Sequence, residues 1–512
     1  MRFVVRGVAA FCVVGLMVGL VSSCAAEAPA SDPTLAPSVT EAPTDRLSRY
    51  YGQQLAWKDC GGRAECTDLT VPIDYSNLDA GDMSIAVARY VAKDNTLGSL
   101  VYNPGGPGGS GVDFAKQAPY VVPEKVLDKY DFVSFDPRGV GESDPIECLS
   151  DKRTDKLLGA NPAPDSPEEI AELTKDATRF GKVCARKSPK IVGFVDSGSV
   201  VKDMDVLRSA LGEERLNFLG SSYGTKLGAL YAQEFGPNVG RMVLDGVMPP
   251  DLTGDEIALG QAKGFDDALR QFVAWCQKEQ SDCPVAGDDV DAGVAKVQAF
   301  LAGLADKPLK VGDREFTEGL GTQSILFLLY YPYNGDWELL ARHLRSAMAG
   351  DAGPLLEVLN QRIQRNADGS YARNGNSYDS LVAVTCLDVP AQSAPEVLAE
   401  RATEWQKEAP VFGAAMAWSG MVCTDWPVAA KPAIGPISAE DAGPVVLVGT
   451  KHDPATPYEW AQRLAETLAD SRLITWDADG HTAYSNGSTC VDDAVNDYLV
   501  EGTLPPKDLV CE

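Results

Sequence analysis

Short apolar runs alternate with amphipathic stretches along most of the chain, and this alternation constrains the fold more than any other feature. Several of the runs are continuously apolar, which is typical of parallel strands that helices cover on both faces. The expected strands are Leu69–Tyr75, Met83–Val91, Ser99–Tyr102, Phe132–Phe135, Leu216–Leu219, Met242–Leu244, Val445–Val448 and Leu473–Trp476. The expected helices between them include Val200–Leu211, Thr225–Phe235, Trp460–Leu468 and Asp492–Leu499. Because the first two runs predict a hairpin that leads into the alternating part, we expect an open α/β fold with a mostly parallel sheet.

The alternation lapses between Pro249 and about Pro432, where the pattern is mostly helical. The strand signals on either side of this stretch belong to one sheet. We therefore expect a helical cap at 251–433, inserted over the carboxyl edge of the sheet between two core segments at 47–250 and 434–512. The cap helices are predicted at Gln261–Gln277, Gln323–Leu329, Glu338–Ala349 and Pro395–Glu408.

The N-terminus has the features of a secretory signal. Arg2 and Arg6 precede an apolar stretch of about 15 residues, which is shorter than the roughly 20 that a membrane span requires. The ending Val-Ser-Ser-Cys, with the cysteine at position 24, resembles the bacterial lipobox, in which that cysteine is lipidated. We expect a signal peptide at 1–23, lipidation of Cys24 and a flexible tether at 24–46 on an extracytoplasmic, membrane-anchored protein. An ordinary cleavage site beside a chance cysteine is the alternative.

The balance of charges limits the partners of the chain. Among its 512 residues, 73 acidic side chains outnumber 45 basic ones, and the formal net charge is −28. This charge argues against a nucleic-acid partner, since phosphate groups would be repelled. With three histidines, no His-Glu-x-x-His run and no Cys-x-x-Cys pair, we expect neither a metal site nor a cofactor.

The cysteines predict disulfides. Removal of Cys12 with the signal and lipidation of Cys24 leave ten of the 12 cysteines, an even number in an oxidising compartment. Pairing of each cysteine with the next is the expected order. The predicted disulfides are Cys60–Cys66, Cys148–Cys184, Cys276–Cys283, Cys386–Cys423 and Cys490–Cys511.

A serine motif lies between the predicted strand that ends at Leu219 and a helical stretch. The motif is Gly-Ser-Ser-Tyr-Gly at residues 220–224. Strand, motif and helix in this order form the setting of a nucleophile elbow, in which a sharp turn exposes the central serine, Ser222, above the sheet. A glycine- and serine-rich turn without chemistry is the structural alternative.

A serine nucleophile needs a base, and the usual base is a histidine oriented by an acid. His481 follows the last predicted strand, and Asp453 follows the strand before it. The chain order Ser222, Asp453, His481, with each residue just after a strand, is that of the α/β-hydrolases. We therefore expect these three residues to form a catalytic triad.

Other residues of the same types are weaker candidates. His452 is expected to be a solvated loop residue and His343 a packing residue of the cap. Asp245 follows the strand Met242–Leu244 and remains an alternative orienting acid. Asp479 is too close to His481 in sequence to reach the far nitrogen of the ring.

A glycine-rich segment, Asn103 to Gly111, follows the strand Ser99–Tyr102. In folds of this type one oxyanion amide comes from that position, and glycine lets backbone N–H groups approach the substrate. We expect the amides of Gly106 and Tyr223 to bind the oxyanion. A phosphate-binding loop is the alternative, but no Gly-Lys-Ser/Thr follows.

Six segments in order over about residues 56–490 resemble the secreted actinobacterial tripeptidyl aminopeptidases, relatives of the proline iminopeptidases. The segments are Asn-Pro-Gly-Gly-Pro-Gly-Gly-Ser from Asn103, Asp-Pro-Arg-Gly-Val-Gly-Glu-Ser from Asp136, Gly-Ser-Ser-Tyr-Gly-Thr from Gly220, Val-Leu-Asp-Gly-Val from Val243, Asp-Pro-Ala-Thr-Pro-Tyr from Asp453 and Gly-His-Thr from Gly480. The resemblance implies an α/β-hydrolase fold with a helical cap. It also implies a serine peptidase that releases short peptides from free N-termini, with Ser222, Asp453 and His481 as its triad.

One departure separates the chain from the proline iminopeptidases, which usually have a histidine where Asn103-Pro104 stands. An exopeptidase also requires an acid to hold the substrate ammonium. The candidates in the cap are Glu256, Glu315 and Glu318. The aromatic residues that either line a substrate pocket or pack the cap are Tyr330, Tyr331, Tyr333 and Trp337.

We thus expect a secreted, membrane-anchored serine aminopeptidase that hydrolyses peptide bonds near free N-termini through an acyl-enzyme. An esterase or lipase of the same fold is the first alternative, because cap and pocket determine the substrate. A non-catalytic solute-binding lipoprotein is the second. No motif specifies an oligomeric state.

Overall fold

The computed structural model describes residues 42–94, 96–372, 376–390, 394–432 and 434–512. The predicted signal peptide, Cys12, Cys24 and most of the tether lie outside the described residues. Within the described ranges, no helix combines the length and the apolar character that a membrane crossing requires.

Ten of the strands in the described ranges form one sheet, which begins with an antiparallel hairpin and continues as a parallel array. The strands are β1 Lys58–Gly61, β2 Ala64–Pro72, β3 Asp82–Tyr90, β4 Ser99–Asn103, β5 Asp131–Phe135, β6 Leu216–Ser221, β7 Val239–Asp245, β8 Leu309–Val311, β9 Arg314–Phe316, β10 Val445–His452, β11 Ser471–Asp479 and β12 Leu509–Cys511. Their order is β1-β2-β3-β5-β4-β6-β7-β10-β11-β12, and β8 pairs with β9 in a separate hairpin. All neighbours from β5 to β12 are parallel.

Each predicted strand has a counterpart in the sheet, whereas β1, β8, β9 and β12 were not predicted. β12 and the β8–β9 hairpin are only three residues per strand. β1 is mostly exposed along its four residues, so it lacks the apolar run that indicates a buried strand. The mostly parallel α/β fold is confirmed.

Helices connect the strands and fill the segment between β7 and β10. They are α1 Ser48–Tyr51, α2 Gly111–Lys116, α3 Glu124–Leu127, α4 Asp151–Leu158, α5 Pro167–Lys187, α6 Ser197–Ala210, α7 Tyr223–Glu234, α8 Gly254–Glu279, α9 Val290–Asp306, α10 Glu318–Leu329, α11 Asp336–Met348, α12 Gly353–Arg362, α13 Ser377–Asp388, α14 Pro395–Glu408, α15 Gly413–Trp418, α16 Tyr458–Thr467 and α17 Thr489–Glu501.

Successive residues of the central strands point to opposite faces of the sheet and enter different cores. In β10, Val445 and Leu447 belong to one buried cluster and Val446 and Val448 to another. Residues of α6, α7 and α16 pack in the first cluster, and residues of α3 and α17 pack in the second. Both faces are therefore covered, which explains the continuously apolar strands in the sequence.

The segment between β7 and β10 contains α8 to α15 and the β8–β9 hairpin, and it has a core of its own. The four helices predicted in this segment correspond to α8, α10, α11 and α14. Leu158 of α4 belongs to the same core, and Asp155 of α4 forms an ion pair with Arg365. Residues from before the insertion thus help to support it.

Five disulfides cross-link the chain, and each joins two successive cysteines as expected. The pairs are Cys60–Cys66, Cys148–Cys184, Cys276–Cys283, Cys386–Cys423 and Cys490–Cys511. Cys148–Cys184 connects the segment after β5 to α5, and Cys386–Cys423 connects α13 to the 3-10 helix Ser419–Cys423.

Candidate active site

Ser222 occupies a strained turn between β6 and α7. Its φ of 56° and ψ of −126° are unusual for a residue with a side chain, and such strain needs support from its surroundings. The amide of Ser222 donates to the Asp245 carbonyl at 2.9 Å. A Cβ on Gly220 would lie 2.6 Å from the carbonyl oxygen of Gly224, so the turn closes only with glycine there. This is the geometry expected for a nucleophile elbow.

The imidazole of His481 is held by the carboxylate of Asp453. His481 Nδ1 lies 2.8 Å from Asp453 Oδ1 and 3.0 Å from Oδ2, and both residues are buried. They follow β11 and β10, which are neighbouring parallel strands, so their loops meet at the carboxyl edge of the sheet. A carboxylate at this distance fixes the orientation of the ring and stabilises its protonated form.

Further hydrogen bonds orient the Asp453 carboxylate. Oδ1 accepts from the amides of Ala455 and Thr456 at 2.9 Å each, and Oδ2 accepts from the Thr456 hydroxyl at 2.9 Å. Thr456 also lies 3.4 Å from His481 Nδ1. Sequence reasoning did not single out Thr456, although it belongs to the Asp-Pro-Ala-Thr-Pro-Tyr segment that starts at Asp453.

His481 is also held from the side of the insertion. Its amide donates to the Tyr330 carbonyl at 2.8 Å, and the Tyr330 ring meets the imidazole edge-on at a centroid distance of 5.2 Å. The Tyr331 ring centroid lies 6.4 Å from that of His481. Two of the four aromatic candidates thus contact the histidine rather than a substrate pocket.

Asp245, the alternative orienting acid, binds the backbone after His481 instead of the imidazole. Its carboxylate accepts from the amides of Ala483 at 3.0 Å and Tyr484 at 2.9 Å, in the loop directly after His481. Burial raises the pKa of Asp245 to about 7, against the lowering effect of those amides. In this geometry Asp453, not Asp245, is the acid hydrogen-bonded to the imidazole.

The glycine-rich segment packs directly against the elbow. A Cβ on Gly105 would lie 3.0 Å from Ser222 Cβ and 3.0 Å from Tyr223 N. Gly105 N donates to Asn103 Oδ1 at 3.0 Å. The amides of Gly106 and Tyr223 donate to no acceptor within the described part of the chain, and both residues line the same cavity as Ser222. Two free N–H groups beside a serine are what an oxyanion requires.

That cavity has a volume of about 370 Å³ and lies between the sheet edge and the insertion. Its lining is mainly apolar and comes from α8, α13 and the segment 416–423. The apolar lining residues include Met248, Ile257, Leu381, Val384, Trp405, Met416 and Val422. The charged lining residues are Lys226, Asp255 and Asp388. None of these three was predicted, since their approach depends on packing between distant parts of the chain.

One contact of a complete triad is not made here. Ser222 Oγ has no hydrogen bond to any described residue, the His481 ring included. Contacts between a nucleophile and its base are often long in a ligand-free enzyme and shorten when substrate binds.

The expectation that His452 is a solvated loop residue needs correction. It is the last residue of β10, and its Nδ1 lies 2.7 Å from Asp267 Oδ2 of α8. The hydrogen bond to the Asp267 carboxylate raises the pKa of His452. Both side chains are about half-buried. The two residues are far apart in the chain, so no local sequence pattern predicts their contact.

The other candidates are placed away from the cavity. Glu256 caps α8 and pairs with Arg463, Glu315 is exposed in β9, and Glu318 lies in the first turn of α10. Tyr333 stacks on Trp476 at 4.7 Å, and Trp337 packs against two further aromatic rings. None of these five lines the cavity that contains Ser222.

The Asp-Pro-Arg-Gly block, the most distinctive segment of the sequence, is structural. Arg138 is fully buried, and its guanidinium binds Asp203 in two contacts of 2.6 and 2.7 Å. It also donates to the carbonyls of Ile73 and Phe194. The Asp136 carboxylate accepts from the Ser110 hydroxyl and the Val112 amide, which fixes α2 beside the glycine-rich segment.

Comparison with known proteins identifies relatives of the chain. Residues 409–511 match the family model described as TAP-like protein. The chain is 34% identical to the serine protease Hip1 of Mycobacterium tuberculosis, over 90% of this chain and 91% of that protein. It is 32% identical to the tripeptidyl aminopeptidase of Streptomyces lividans, over 89% and 86%. It is also 34% identical to carboxylesterase B of Mycobacterium tuberculosis, over 88% and 86%.

Proposed function

Because this chain belongs to the α/β-hydrolase family that includes the tripeptidyl aminopeptidases and the serine protease Hip1, we propose that Ser222, His481 and Asp453 are its catalytic triad. The family makes the chain a serine hydrolase of the peptidase type. The observation that carries the proposal is the buried hydrogen bond between His481 and Asp453, beside a cavity that a strained serine lines.

In the proposed mechanism His481 accepts the Ser222 proton as Oγ attacks the scissile carbonyl. Asp453 keeps the ring in the tautomer whose Nε2 is free to act as base. The amides of Gly106 and Tyr223 stabilise the oxyanion of the tetrahedral intermediate. His481 then donates its proton to the leaving amine, and water, activated by the same histidine, hydrolyses the acyl-enzyme.

We further propose that the substrates are peptides cleaved near their N-termini. The cavity beside Ser222 is bounded by helices of the insertion, and its volume of about 370 Å³ suits a short peptide segment. A cavity of this size cannot hold the longer part of a polypeptide, which needs an open path to solvent. We therefore propose that the cavity holds the short N-terminal segment of the substrate.

The compartment and the anchor are part of the same proposal. The charged start, short apolar stretch and Val-Ser-Ser-Cys ending of the sequence support export and lipidation at Cys24. The five disulfides are in keeping with an oxidising, extracytoplasmic location. Incorporation of labelled palmitate into the wild type, but not into Cys24→Ala, tests the anchor, and equal incorporation into both would contradict it.

A chromogenic panel tests the peptidase activity. The substrates are a tripeptide p-nitroanilide with a free amino group and a short-chain p-nitrophenyl ester. We expect the wild type to cleave the anilide and Ser222→Ala to lose at least about 10³-fold in kcat. Anilide turnover that persists in Ser222→Ala would contradict the assignment of the nucleophile.

An esterase is the second candidate, favoured by the apolar lining of the cavity and by the relative named carboxylesterase B. The same triad cleaves esters, because the chemistry of acyl transfer is shared. Ester turnover without any anilide turnover would identify the chain as an esterase rather than a peptidase.

A further inference from the structure

Aromatic side chains lie around His481, outside the cavity that contains Ser222. We propose that Tyr331, continued by Tyr102 and Phe114, forms the subsite for the part of the substrate that leaves, beginning with the first residue after the scissile bond. This subsite selects an aromatic or large apolar side chain at that residue. The assignment rests on the serine hydrolase function proposed above and deepens it.

The position of His481 determines where the leaving part of the substrate lies. Its imidazole must donate a proton to the leaving nitrogen, so that nitrogen comes within hydrogen-bond distance of the ring. The cavity is lined by Gly106, Tyr223 and helices of the insertion, whereas His481 is not among its lining residues. A substrate whose N-terminal segment fills the cavity therefore runs past His481 after the scissile bond.

Tyr331 is placed to contact that part of the substrate. Its ring centroid lies 6.4 Å from that of His481, and the residue is partly exposed. Its hydroxyl makes no hydrogen bond to any residue that the structure describes. The neighbouring Tyr330 ring is instead packed against Phe265 and Phe327 of the insertion.

Main-chain contacts fix the turn that carries Tyr331 beside the histidine. The Tyr330 carbonyl accepts from the His481 amide at 2.8 Å. A Cβ on Gly480 would lie 2.8 Å from Pro332 Cδ, so the two segments are in close contact. The Tyr331 side chain can therefore be replaced without removing the contacts that hold its backbone.

Two further aromatic residues extend the surface towards solvent. The Tyr102 hydroxyl donates to the Oγ of Ser221, the residue before the nucleophile, at 3.4 Å. Burial raises the pKa of Tyr102, and the nearby Tyr331 hydroxyl raises it further. The Phe114 ring lies 5.8 Å from that of Tyr102, and Phe114 is 40% exposed. Rings of this kind pack well against aromatic and large apolar side chains, whereas glycine offers them no side chain.

Acyl transfer to added amines measures the leaving side alone. Ala-Val-Leu methyl ester forms the acyl-enzyme and releases methanol, which is too small to fill the subsite. Phenylalanine amide or glycine amide then competes with water for the acyl group. The amine nitrogen attacks the ester carbonyl, its proton passes through His481 to Ser222 Oγ, and an amide bond replaces the acyl-enzyme ester. This step reverses the departure of the leaving group, so the amine occupies the leaving subsite.

Initial rates of transfer are compared at equal concentrations of the neutral amines. We expect the wild type to transfer to phenylalanine amide at least about tenfold faster than to glycine amide. Tyr331→Ala should reduce this ratio to within about threefold, and Tyr331→Phe, which keeps the ring, should retain it. A wild-type ratio near one, an unchanged ratio in Tyr331→Ala or an equal loss in Tyr331→Phe would overturn the proposal.

Both amines react with the same acyl-enzyme, so a general loss of activity in a variant cancels from the ratio. Tyr120→Ala is the matched control, because Tyr120 is 89% exposed, and it should keep the wild-type ratio. A fall as large as that in Tyr331→Ala would contradict the assignment. The methyl ester forms the acyl-enzyme even if amide bonds are not cleaved. Absence of anilide turnover with the expected transfer ratios would therefore remove the peptidase proposal alone.

Discussion

His481 Nδ1 lies 2.8 Å from Asp453 Oδ1, and the two buried side chains join the loops that follow β11 and β10. A second buried acid, Asp245, accepts hydrogen bonds from the amides of Ala483 and Tyr484, in the loop after His481. Asp453 thus orients the ring, while Asp245 fixes the loop that carries it. The two carboxylates have separate tasks, and separate variants test them.

Asp453→Asn should lower kcat for the peptide anilide by about 10⁴-fold, because the amide favours the wrong tautomer of His481. The matched control is Asp267→Asn, which makes the same change beside the other strand-end histidine, His452. The control should stay within about twofold of the wild type. A comparable loss in both variants would show that the effect is structural and not specific to the triad.

Gly105→Ala should lower kcat by at least about 100-fold. The new Cβ would meet Tyr223 N at 3.0 Å and Ser221 O at 2.5 Å, and it would displace the amides proposed to bind the oxyanion. Gly212→Ala is the control, since Gly212 has a similar φ of 79° and open space around its Cα. Gly212→Ala introduces the backbone strain of a positive φ without a steric clash, so it should keep nearly full activity. Full activity in Gly105→Ala would contradict the placement of the oxyanion site.

Asp245→Asn should change how stability depends on pH. Burial raises the pKa of Asp245 to about 7, so the folded protein binds its proton more tightly than the unfolded chain. Its contribution to stability is fully present below the unfolded pKa of about 4 and is lost as the pH rises towards 7. Relative to Asp245→Asn, the wild type should therefore lose stability between pH 5 and pH 8, by about 3 kcal/mol.

Urea unfolding at pH 5 and pH 8 measures this difference directly. The other carboxylates titrate equally in both proteins, so the difference between them isolates Asp245. If the gap between the wild type and Asp245→Asn does not change with pH, the carboxylate is not buried in the way described.

Removal of the Cys386–Cys423 disulfide should destabilise the protein more than removal of Cys60–Cys66. The two bonds span sequence separations of 37 and 6 residues. Loop-closure entropy then favours the longer one by roughly 1.5 kcal/mol, on a model in which disulfides act on the unfolded chain. Thermal unfolding of the two double Cys→Ser variants gives the comparison. The Cys386–Cys423 variant should also lose kcat/KM, because Cys423 lines the cavity.

The three proposed triad residues were identified from the sequence because each lies just past an apolar run. The carboxyl ends of β6, β10 and β11 lie at one edge of a parallel sheet. Chain order and strand position were therefore sufficient to predict that the three residues lie at the same edge. The successive pairing of cysteines followed from their order in the same way.

The cavity could not be predicted by the same reasoning. Lys226 and Asp388 are 162 residues apart, and they meet only because α13 packs against α7. The bond between His452 and Asp267 also depends on how α8 lies over the sheet. Such contacts arise from tertiary packing, which no local pattern encodes, and the acids suggested by sequence alone, such as Glu256, are used elsewhere.

Site mapping of a fluorophosphonate adduct tests the central claim most directly. The wild type, Asp453→Asn and Ser222→Ala are treated with the probe at neutral pH, digested and analysed by tandem mass spectrometry. We predict one adduct, on Ser222, which forms rapidly in the wild type, at least about 100-fold more slowly in Asp453→Asn and not at all in Ser222→Ala. An adduct on another residue, or labelling that persists in Ser222→Ala, would contradict the proposed triad.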